Sequence, residues 1–359
     1  MMHLRITVFF GFLFCLAGLS AQIPPGYYDP ADGLTGQALQ SALHNIIKNH
    51  TAVSYSSLIS YFESTDKKSD NTVWDMYSDV PGGNPPYVYH YGSGDECGNY
   101  NSEGDCFNRE HSWPKSWFGG EVMPMYSDLF HLYPTDGYVN NKRDNYPYGE
   151  VGQAQWASQN GSKLGGCTWP GYSGVVFEPV DDYKGDLARS YFYMSVRYYT
   201  EDNGWPGSPM TTGSQLKPWA LDMLAHWNDQ DPVSEKEIDR NNAVYLIQDN
   251  RNPFIDHPEY AGSIWGTATG FIPADGEKRL TIYPNPADDF CYIVVPGTSI
   301  KEQFQVSLFD LAGKSVDFIM IKKGDKIKID CKGLQQGVYI VTISNDLTDV
   351  VSKGLILKR

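Results

Sequence analysis

Basic residues are scarce in the first three quarters of this 359-residue chain. Residues 277–359 hold 12 of the 28 Lys and Arg and 10 of the 43 Asp and Glu, which leaves 16 basic and 33 acidic residues before them. The preceding part therefore has a net charge of −17. A surface that contacts many phosphates along a nucleic acid must be basic. The sequence excludes such an extended surface but allows a small cationic cleft or a cation-binding site.

Long hydrophobic runs are absent after the first 20 residues. At the N-terminus, Arg5 precedes an apolar run, Ile6–Leu19, and Ala21 offers a small residue for cleavage. The run is too short to span a bilayer comfortably. We therefore expect residues 1–21 to be a secretory signal peptide, the mature chain to begin near Gln22, and no stable membrane span.

Cysteine is also scarce, and neither a Cys-x-x-Cys pair nor a His-Glu-x-x-His motif occurs. Their absence argues against a structural zinc site and against zinc-peptidase chemistry. In an exported protein, disulfides are the default interpretation of the remaining cysteines. One pairing would join Cys97 to Cys106 and Cys291 to Cys331 and leave Cys167 free, while other connectivities stay open.

Composition divides the mature chain into three segments. Residues 22–272 are rich in Tyr, Trp, Asn and Gly, residues 273–279 have the composition of a linker, and residues 280–359 contain short β-rich runs between turn signals. Hydrophobic periodicity in the first segment predicts helices over residues 34–48, 187–200, 217–228 and 235–249, and short strands over 73–77 and 87–91. We expect an α+β domain followed by a small β-sandwich.

Glu110 and His111 lie in the stretch of the sequence that is richest in residue types used in catalysis, residues 106–114. Neighbours in a regular strand point to opposite faces, so both reach one site only where the strand twists or ends, and Pro114 marks such an end. Glutamate is a hard oxygen ligand suited to Mg²⁺ or Ca²⁺, and neutral imidazole accepts a proton near pH 7. For an isolated pair, a surface carboxylate beside a structural histidine is the alternative.

The pair is followed by a strand-then-helix pattern over residues 128–145. Residues 129–133 alternate as a strand does, and after the next proline the spacing becomes helical. Within that helix, Asn140, Arg143 and Asp144 share a face by their i, i+3 and i+4 spacing. A metal ion would fit between the strand end and the helix, held by Glu110 and Asn140.

Three ordered blocks carry a resemblance to a known family. Asn-Arg-Glu-His-Ser-Trp-Pro at 108–114 and the stretch at 128–145, with Asp-Leu-Phe-His-Leu-Tyr-Pro and Val-Asn-x-x-Arg-x-Asn, resemble the bacterial endonuclease I family. A third block at 227–259 resembles it as well, so the likeness spans roughly residues 70 to 265. It implies a ββα-metal, or His-Me finger, nuclease domain with surrounding helices.

This resemblance also implies roles for the site residues. His111 is the expected general base, and Glu110 and Asn140 are the expected ligands of a divalent ion, which we expect to be Mg²⁺, with Mn²⁺ or Ca²⁺ as alternatives. The implied reaction is metal-dependent hydrolysis of phosphodiester bonds in DNA, with RNA open as a further substrate, with low sequence specificity and 5′-phosphate products.

Five further residues are candidates with a structural alternative. Arg143 is a candidate catalytic clamp on the scissile phosphate, or else a partner in a salt bridge on the helix surface. The candidates for substrate binding are Lys115, His131, Asn145 and Arg251. His131 is equally a hydrogen-bonded core histidine, and Asn145 equally the end of a helix. The family's phosphate-binding arginine between the histidine strand and the helix has no clear counterpart here.

The C-terminal segment resembles a type IX secretion sorting domain. The resemblance lies in Leu280-Thr-Ile-Tyr-Pro-Asn-Pro, in Leu334-x-x-Gly-Val-Tyr and in the basic ending Lys358-Arg359. It implies export to the medium or the cell surface with the secretion machinery as a partner, and we expect a monomer. Two other functions stay open. A carbohydrate-active protein, suggested by the many aromatic residues, would use paired carboxylates without a metal; a surface adhesin would have no catalytic residues.

Overall fold

The computed structural model describes residues 23–266 and, further along, residues 281–283, 287, 289–294, 304–310, 314–323, 326–345 and 348–358. The expected signal peptide, residues 1–21, and the expected linker, residues 273–279, lie outside these ranges. Among the helices of the described ranges, none is long and apolar enough to cross a membrane.

Helices form where apolar residues recur at helical spacing. Those in the described ranges are α1 (Gly36–Ile47), α2 (Leu58–Thr65), α3 (Gly137–Arg143), α4 (Lys184–Arg197), α5 (Pro218–Gln230), α6 (Glu235–Gln248), α7 (Pro253–Asp256) and α8 (Tyr260–Trp265). The ranges of α1, α4, α5 and α6 confirm the four predicted helices. α6 begins with a capping box, in which the side chains of Ser234 and Glu237 each accept a hydrogen bond from the other's backbone N–H.

The described strands form antiparallel sheets. They are β1 (Phe107–His111), β2 (Leu132–Asp136), β3 (Val151–Ala157), β4 (Lys163–Cys167), β5 (Val175–Glu178), β6 (Thr211–Thr212), β7 (Gln215–Leu216), β8 (Thr281–Tyr283), β9 (Phe290–Val294), β10 (Phe304–Asp310), β11 (Ile319–Lys323), β12 (Lys326–Asp330), β13 (Gly337–Asn345) and β14 (Thr348–Lys358). Their orders are β1-β2, β3-β4-β5, β6-β7, β11-β12-β9-β8 and β10-β13-β14. This mixture confirms the α+β class.

Two predicted strands, residues 73–77 and 87–91, are wrong. Both segments are loops, joined by isolated bridges such as the one between Thr72 and His90. The physical reason is local: the buried carboxylate of Asp75 accepts the backbone N–H of Tyr77 at 2.8 Å. A side chain that binds its own backbone in this way stabilises a turn in competition with a sheet ladder.

The turn before β2 is fixed by the buried carboxylate of Asp128. Its Oδ1 accepts a hydrogen bond from Gln248 Nε2 at 3.0 Å, and its Oδ2 accepts one from the Tyr193 hydroxyl at 2.9 Å. These contacts and its cap on the next turn hold Leu129–His131 as a 3₁₀ turn. The predicted strand over residues 129–133 is therefore wrong in its first half, because β2 begins only after this turn.

β1, β2 and α3 follow one another in space and carry the site residues. Glu110 and His111, the last two residues of β1, pair with β2, and α3 begins directly after β2. Asp136 starts α3 as its N-cap, because its Oδ1 accepts the backbone N–H of Val139 at 2.7 Å. The strand–strand–helix order therefore agrees with the order expected from the sequence.

The two sheets of the C-terminal segment share one hydrophobic cluster. Ile293 and Ile329, from β9 and β12, belong to the same buried cluster as Leu308 and Val341, from β10 and β13. Residues of both sheets thus contribute to one buried cluster, and the β-sandwich itself stays a prediction. β9, β10, β12 and β13 agree with the short β-rich runs expected in this segment.

The structure contains one of the two disulfides considered from the sequence. Cys97 and Cys106 are bonded, which confirms that pairing and ties a loop to the residue before β1. Cys291 and Cys331 are buried with their Sγ atoms 4.0 Å apart, about twice the length of a disulfide bond. The second predicted bond is therefore not formed in this structure. Cys167 is a half-buried thiol without a disulfide.

Candidate active site

A cavity of about 370 Å³ lies where β1 ends beside α3. Most of the residues that line it are polar: Tyr55, Tyr100, Asn108, Arg109, Glu110, His111, Pro114, Lys115, Ser116, Asn140, Asn141, Asp144 and Asn145. Glu110 and His111 reach the same cavity although they are neighbours, because the strand ends there. The structure therefore brings together the predicted base and both predicted metal ligands, together with Lys115 and Asn145.

His111 is held in one tautomer by a backbone carbonyl. Its Nε2 lies 3.0 Å from the carbonyl oxygen of Tyr126, which can only accept a hydrogen bond. The ring proton must therefore be on Nε2, and Nδ1 carries the lone pair. No described residue donates a hydrogen bond to Nδ1. Burial lowers the pKa of His111 to about 3, so the ring is a neutral base at ordinary pH.

Glu110 is a buried carboxylate that is fixed through one oxygen. Its Oε1 accepts hydrogen bonds from the Tyr77 hydroxyl at 2.9 Å and from Arg143 Nη1 at 3.0 Å. Its Oε2 has no hydrogen bond with any described residue. Burial raises the pKa of Glu110 to about 7, and the Arg143 charge opposes that rise. One oxygen is thus anchored in the core, and the other is available to the cavity.

Asn140 presents its carbonyl oxygen in a similar way. Its Nδ2 donates to Asn108 Oδ1 at 2.7 Å and approaches the Arg109 carbonyl at 3.4 Å. Because the amide is planar, anchoring the nitrogen directs Oδ1 away from these partners. Asn140 therefore offers a neutral oxygen and Glu110 an anionic one on the wall of the same cavity.

Arg143 lies behind the cavity and not in it, contrary to the prediction of a phosphate clamp. Its guanidinium is fully buried and donates to Glu110, to the His111 carbonyl at 2.9 Å and to the Ser112 carbonyl at 2.5 Å. It also lies 4.5 Å from the ring centroid of Tyr148. The salt bridge on the helix surface was wrong as well, because the partner is Glu110 in the core. These hydrogen bonds hold the C-terminal end of β1 in place.

Two predicted substrate-binding residues are also buried outside the cavity lining. His131 is completely buried, with its Nε2 2.7 Å from the Met125 carbonyl, which agrees with the core interpretation. Arg251 forms a two-pronged ion pair with Asp256, at 2.6 and 2.8 Å. Its third acceptor is Asn242 at 2.9 Å. Arg251 stabilises the loop before α7 and is buried outside the cavity lining.

Three residues around the site, Arg109, Tyr55 and Tyr77, were not predicted. Arg109 and Tyr55 line the cavity, with the guanidinium 4.9 Å from the tyrosine ring centroid. Tyr77 holds Glu110. Asp144, expected from its spacing on the same helix face as Asn140, brings a second carboxylate to the cavity from a residue with a positive φ of 49°. Strand alternation was the available signal for Arg109, since it precedes His111 by two residues. Tyr55 and Tyr77 are distant in sequence, and no local pattern identifies them.

The C-terminal segment matches a family with a role in export. Residues 281–358 match the secretion system C-terminal sorting domain. This match confirms the predicted sorting domain, so the protein is secreted by the type IX route.

A long segment before the sorting domain matches a nuclease family and several individual nucleases. Residues 35–259 match Endonuclease I. An extracellular ribonuclease of Bacillus subtilis (strain 168) is 39% identical over 246 residues, which are 67% of this chain and 78% of that protein. A Bacillus amyloliquefaciens extracellular ribonuclease is 40% identical with the same coverage. A periplasmic deoxyribonuclease of Aeromonas hydrophila is 27% identical over 138 residues, 38% of this chain and 50% of that protein. This chain therefore belongs to the Endonuclease I family and is a secreted nuclease.

Proposed function

We propose that this secreted nuclease is a divalent-metal-dependent endonuclease that hydrolyses DNA and RNA with little sequence preference and leaves 5′-phosphate ends. One observation carries the proposal. The neutral His111 ring, anchored through Nε2, lines the same cavity as a carboxylate and an amide that are each anchored through one atom only. A base and two oxygen ligands on one wall are the groups that metal-assisted hydrolysis requires.

The donor set suits a hard divalent ion with few protein ligands. Among the residues that the structure describes, no group of three or more His, Cys, Asp or Glu could hold a metal ion. A cation at Glu110 and Asn140 would therefore take its other ligands from water and from phosphate oxygens, as Mg²⁺ does readily. When bound, the ion would stabilise the negative charge that develops on the phosphate and on the leaving oxygen.

His111 would supply the proton acceptor. Its Nδ1 takes a proton from a water molecule, the water oxygen bonds to phosphorus, and the bond from phosphorus to the 3′-oxygen breaks. The leaving 3′-oxygen takes up a proton from solvent water, and His111 later returns its proton to solvent. The products are a 5′-phosphate and a 3′-hydroxyl. As the ring becomes positively charged, the bond from its Nε2–H to the Tyr126 carbonyl becomes charge-assisted and therefore stronger. The same carbonyl thus fixes the tautomer and stabilises the imidazolium.

The relatives support both substrates. The Bacillus relatives are named as extracellular ribonucleases and the Aeromonas relative as a periplasmic deoxyribonuclease. The reacting group, a phosphodiester, is common to DNA and RNA. Because water is the nucleophile that His111 would activate, the proposed reaction needs no 2′-hydroxyl. It therefore extends to both DNA and RNA.

Removal of divalent ions tests this proposal. We expect the full-length mature chain to cleave supercoiled plasmid and a structured RNA in Mg²⁺, to cleave neither in EDTA, and to recover when Mg²⁺ is added in excess. Raising KCl in the presence of EDTA is the control. Monovalent salt screens repulsion between the acidic domain and the substrate, but it does not supply a divalent ion to Glu110 and Asn140.

Two outcomes would contradict the proposal. Cleavage that persists in EDTA, or that KCl alone restores, would rule out metal-dependent chemistry. Intact DNA and RNA under every divalent ion, with a folded protein, would rule out the nuclease activity itself; release of sugars from a polysaccharide in EDTA would then support the carbohydrate-active alternative.

A further inference from the structure

We propose that four stacked side chains, Arg109, Tyr55, Tyr126 and Lys115, form the phosphate-binding element of the cavity. We call them the cation–ring column. Arg109 and Lys115 each bind one backbone phosphate of the substrate, next to the bond that is cleaved at His111. This inference rests on the proposed function. It assigns a specific role to Lys115, a substrate-binding candidate from the sequence, and adds Arg109 and the two tyrosines, which the sequence did not identify.

The column is a continuous stack. The Tyr55 and Tyr126 rings are parallel within 15°, with centroids 4.2 Å apart. The Arg109 guanidinium lies 4.9 Å from the Tyr55 centroid, and the Lys115 ammonium lies 5.3 Å from the Tyr126 centroid. Because the two rings cover each other's inner faces, Arg109 must lie over the outer face of Tyr55. One cation thus lies over each ring, at distances at which cation–π attraction is effective.

His111 lies beside this stack. Its centroid is 5.3 Å from that of Tyr126 and 5.9 Å from that of Tyr55, and it is parallel to both rings. A third ring at the end of the stack would be much farther from one tyrosine than from the other. The nearly equal distances therefore place the His111 ring alongside the middle of the column, between its two cations.

Charge singles out these two cations. Arg109 and Lys115 are the only Lys or Arg among the described residues that line the cavity, in a part of the chain with a net charge of −17. Each has a carboxylate partner, Glu96 at 2.8 Å and Glu121 at 3.1 Å. These surface pairs are weak and exchange readily with a phosphate.

Both cations also keep donors free for a ligand. Arg109 uses only Nη2 for Glu96, and its Nη1 has no hydrogen bond with a described residue. The Lys115 side chain is 48% exposed. Holding them on rings reduces the conformational entropy that binding would cost, and attraction to a ring face leaves the N–H edges of a guanidinium available to phosphate oxygens.

Salt-dependent binding tests the column separately from catalysis. We would measure the Kd of a labelled single-stranded oligonucleotide by fluorescence anisotropy in Mg²⁺, between about 50 and 200 mM KCl. A His111→Ala background slows cleavage by the about 10²- to 10⁴-fold that a general base contributes. We expect Arg109→Gln and Lys115→Gln each to weaken binding about tenfold. Each should also reduce the slope of log Kd against log salt by about 0.7, the value for one phosphate on a single strand, and the double variant should show both effects.

Lys67→Gln is the matched control, because Lys67 also pairs with a carboxylate, Glu63 at 3.8 Å, but does not line the cavity. It should leave Kd and slope unchanged, and circular dichroism should show all variants folded. Folded Arg109→Gln and Lys115→Gln variants that bind with the slope of the control would overturn the inference, whether or not the wild type cleaves. An unchanged slope with only one of them would overturn the role of that residue. Failure of the proposed function would be seen separately, as absence of cleavage by the wild type.

Discussion

A His111→Ala variant is expected to lose about 10²- to 10⁴-fold in kcat on both DNA and RNA, the range that a positioned general base contributes. Glu110 and Asn140, the proposed metal ligands, are anchored by other residues. The variant should therefore keep its apparent affinity for Mg²⁺ and its KM for nucleic acid. A loss confined to kcat is the signature of a group that acts in the transition state.

Chemical rescue separates a base from a structural residue. Free imidazole should restore part of the activity of His111→Ala, because a diffusing base fills the same position. His90→Ala is the matched control: His90 is half exposed and does not line the cavity, so kcat should stay at the wild-type level. Full activity in His111→Ala, or a loss that appears entirely in Mg²⁺ affinity, would contradict the assigned role.

The pH profile gives a second measurement on the same variant. Burial lowers the pKa of His111 to about 3 and raises that of Glu110 to about 7. His111 is thus already unprotonated at mildly acidic pH. Glu110 becomes neutral as pH falls through about 7, which weakens its hold on a cation. We expect the Mg²⁺ affinity to fall on the acid side in both wild type and His111→Ala.

Replacing Arg143 with methionine is expected to cost about 3 to 5 kcal/mol in the free energy of unfolding. The guanidinium is buried and donates hydrogen bonds to Glu110 and to the carbonyls of His111 and Ser112. Its removal leaves a buried carboxylate without its cation, for which such losses are typical. The same change removes the charge that opposes the high pKa of Glu110, so Mg²⁺ affinity at neutral pH should fall as well.

Denaturant unfolding and Mg²⁺ titration measure the two effects of Arg143→Met. Arg143→Lys is the conservative control: it keeps the charge but cannot reproduce the three-way set of hydrogen bonds, so an intermediate loss is expected. In the double variant with Glu110→Gln, the destabilisation should be smaller than the sum of the single changes, since the two groups are in contact. A stable Arg143→Met variant whose only defect is a raised KM for nucleic acid would restore the phosphate-clamp interpretation.

The sequence predicted the parts of the site that lie in short, ordered blocks. Glu110, His111 and Asn140 reach one cavity as expected, because a strand end and a following helix are local features. The Cys97–Cys106 disulfide could be predicted for the same reason, since the two residues are close in sequence and flank one loop.

The remaining features depend on contacts that sequence spacing does not encode. Arg143 has the spacing of a residue on the same face as Asn140, but only the packing of Tyr148 and Tyr191 decides that its guanidinium is buried. Arg251 is adjacent to a polar loop, yet the two-pronged pair with Asp256 removes it from solvent. Likewise, Tyr55 reaches the cavity from a segment more than 50 residues before β1.

The fate of the water oxygen is the most direct test of the mechanism. Matched deoxy and ribo oligonucleotides would be cleaved in ¹⁸O-labelled water with Mg²⁺, and the product ends analysed by mass spectrometry. If His111 activates water against the phosphodiester, both substrates will yield 5′-phosphates that contain the label and 3′-hydroxyl ends. Ribo products that end in 2′,3′-cyclic phosphate and 5′-hydroxyl, with the deoxy strand intact, would instead show attack by the substrate's own 2′-hydroxyl and would contradict the account.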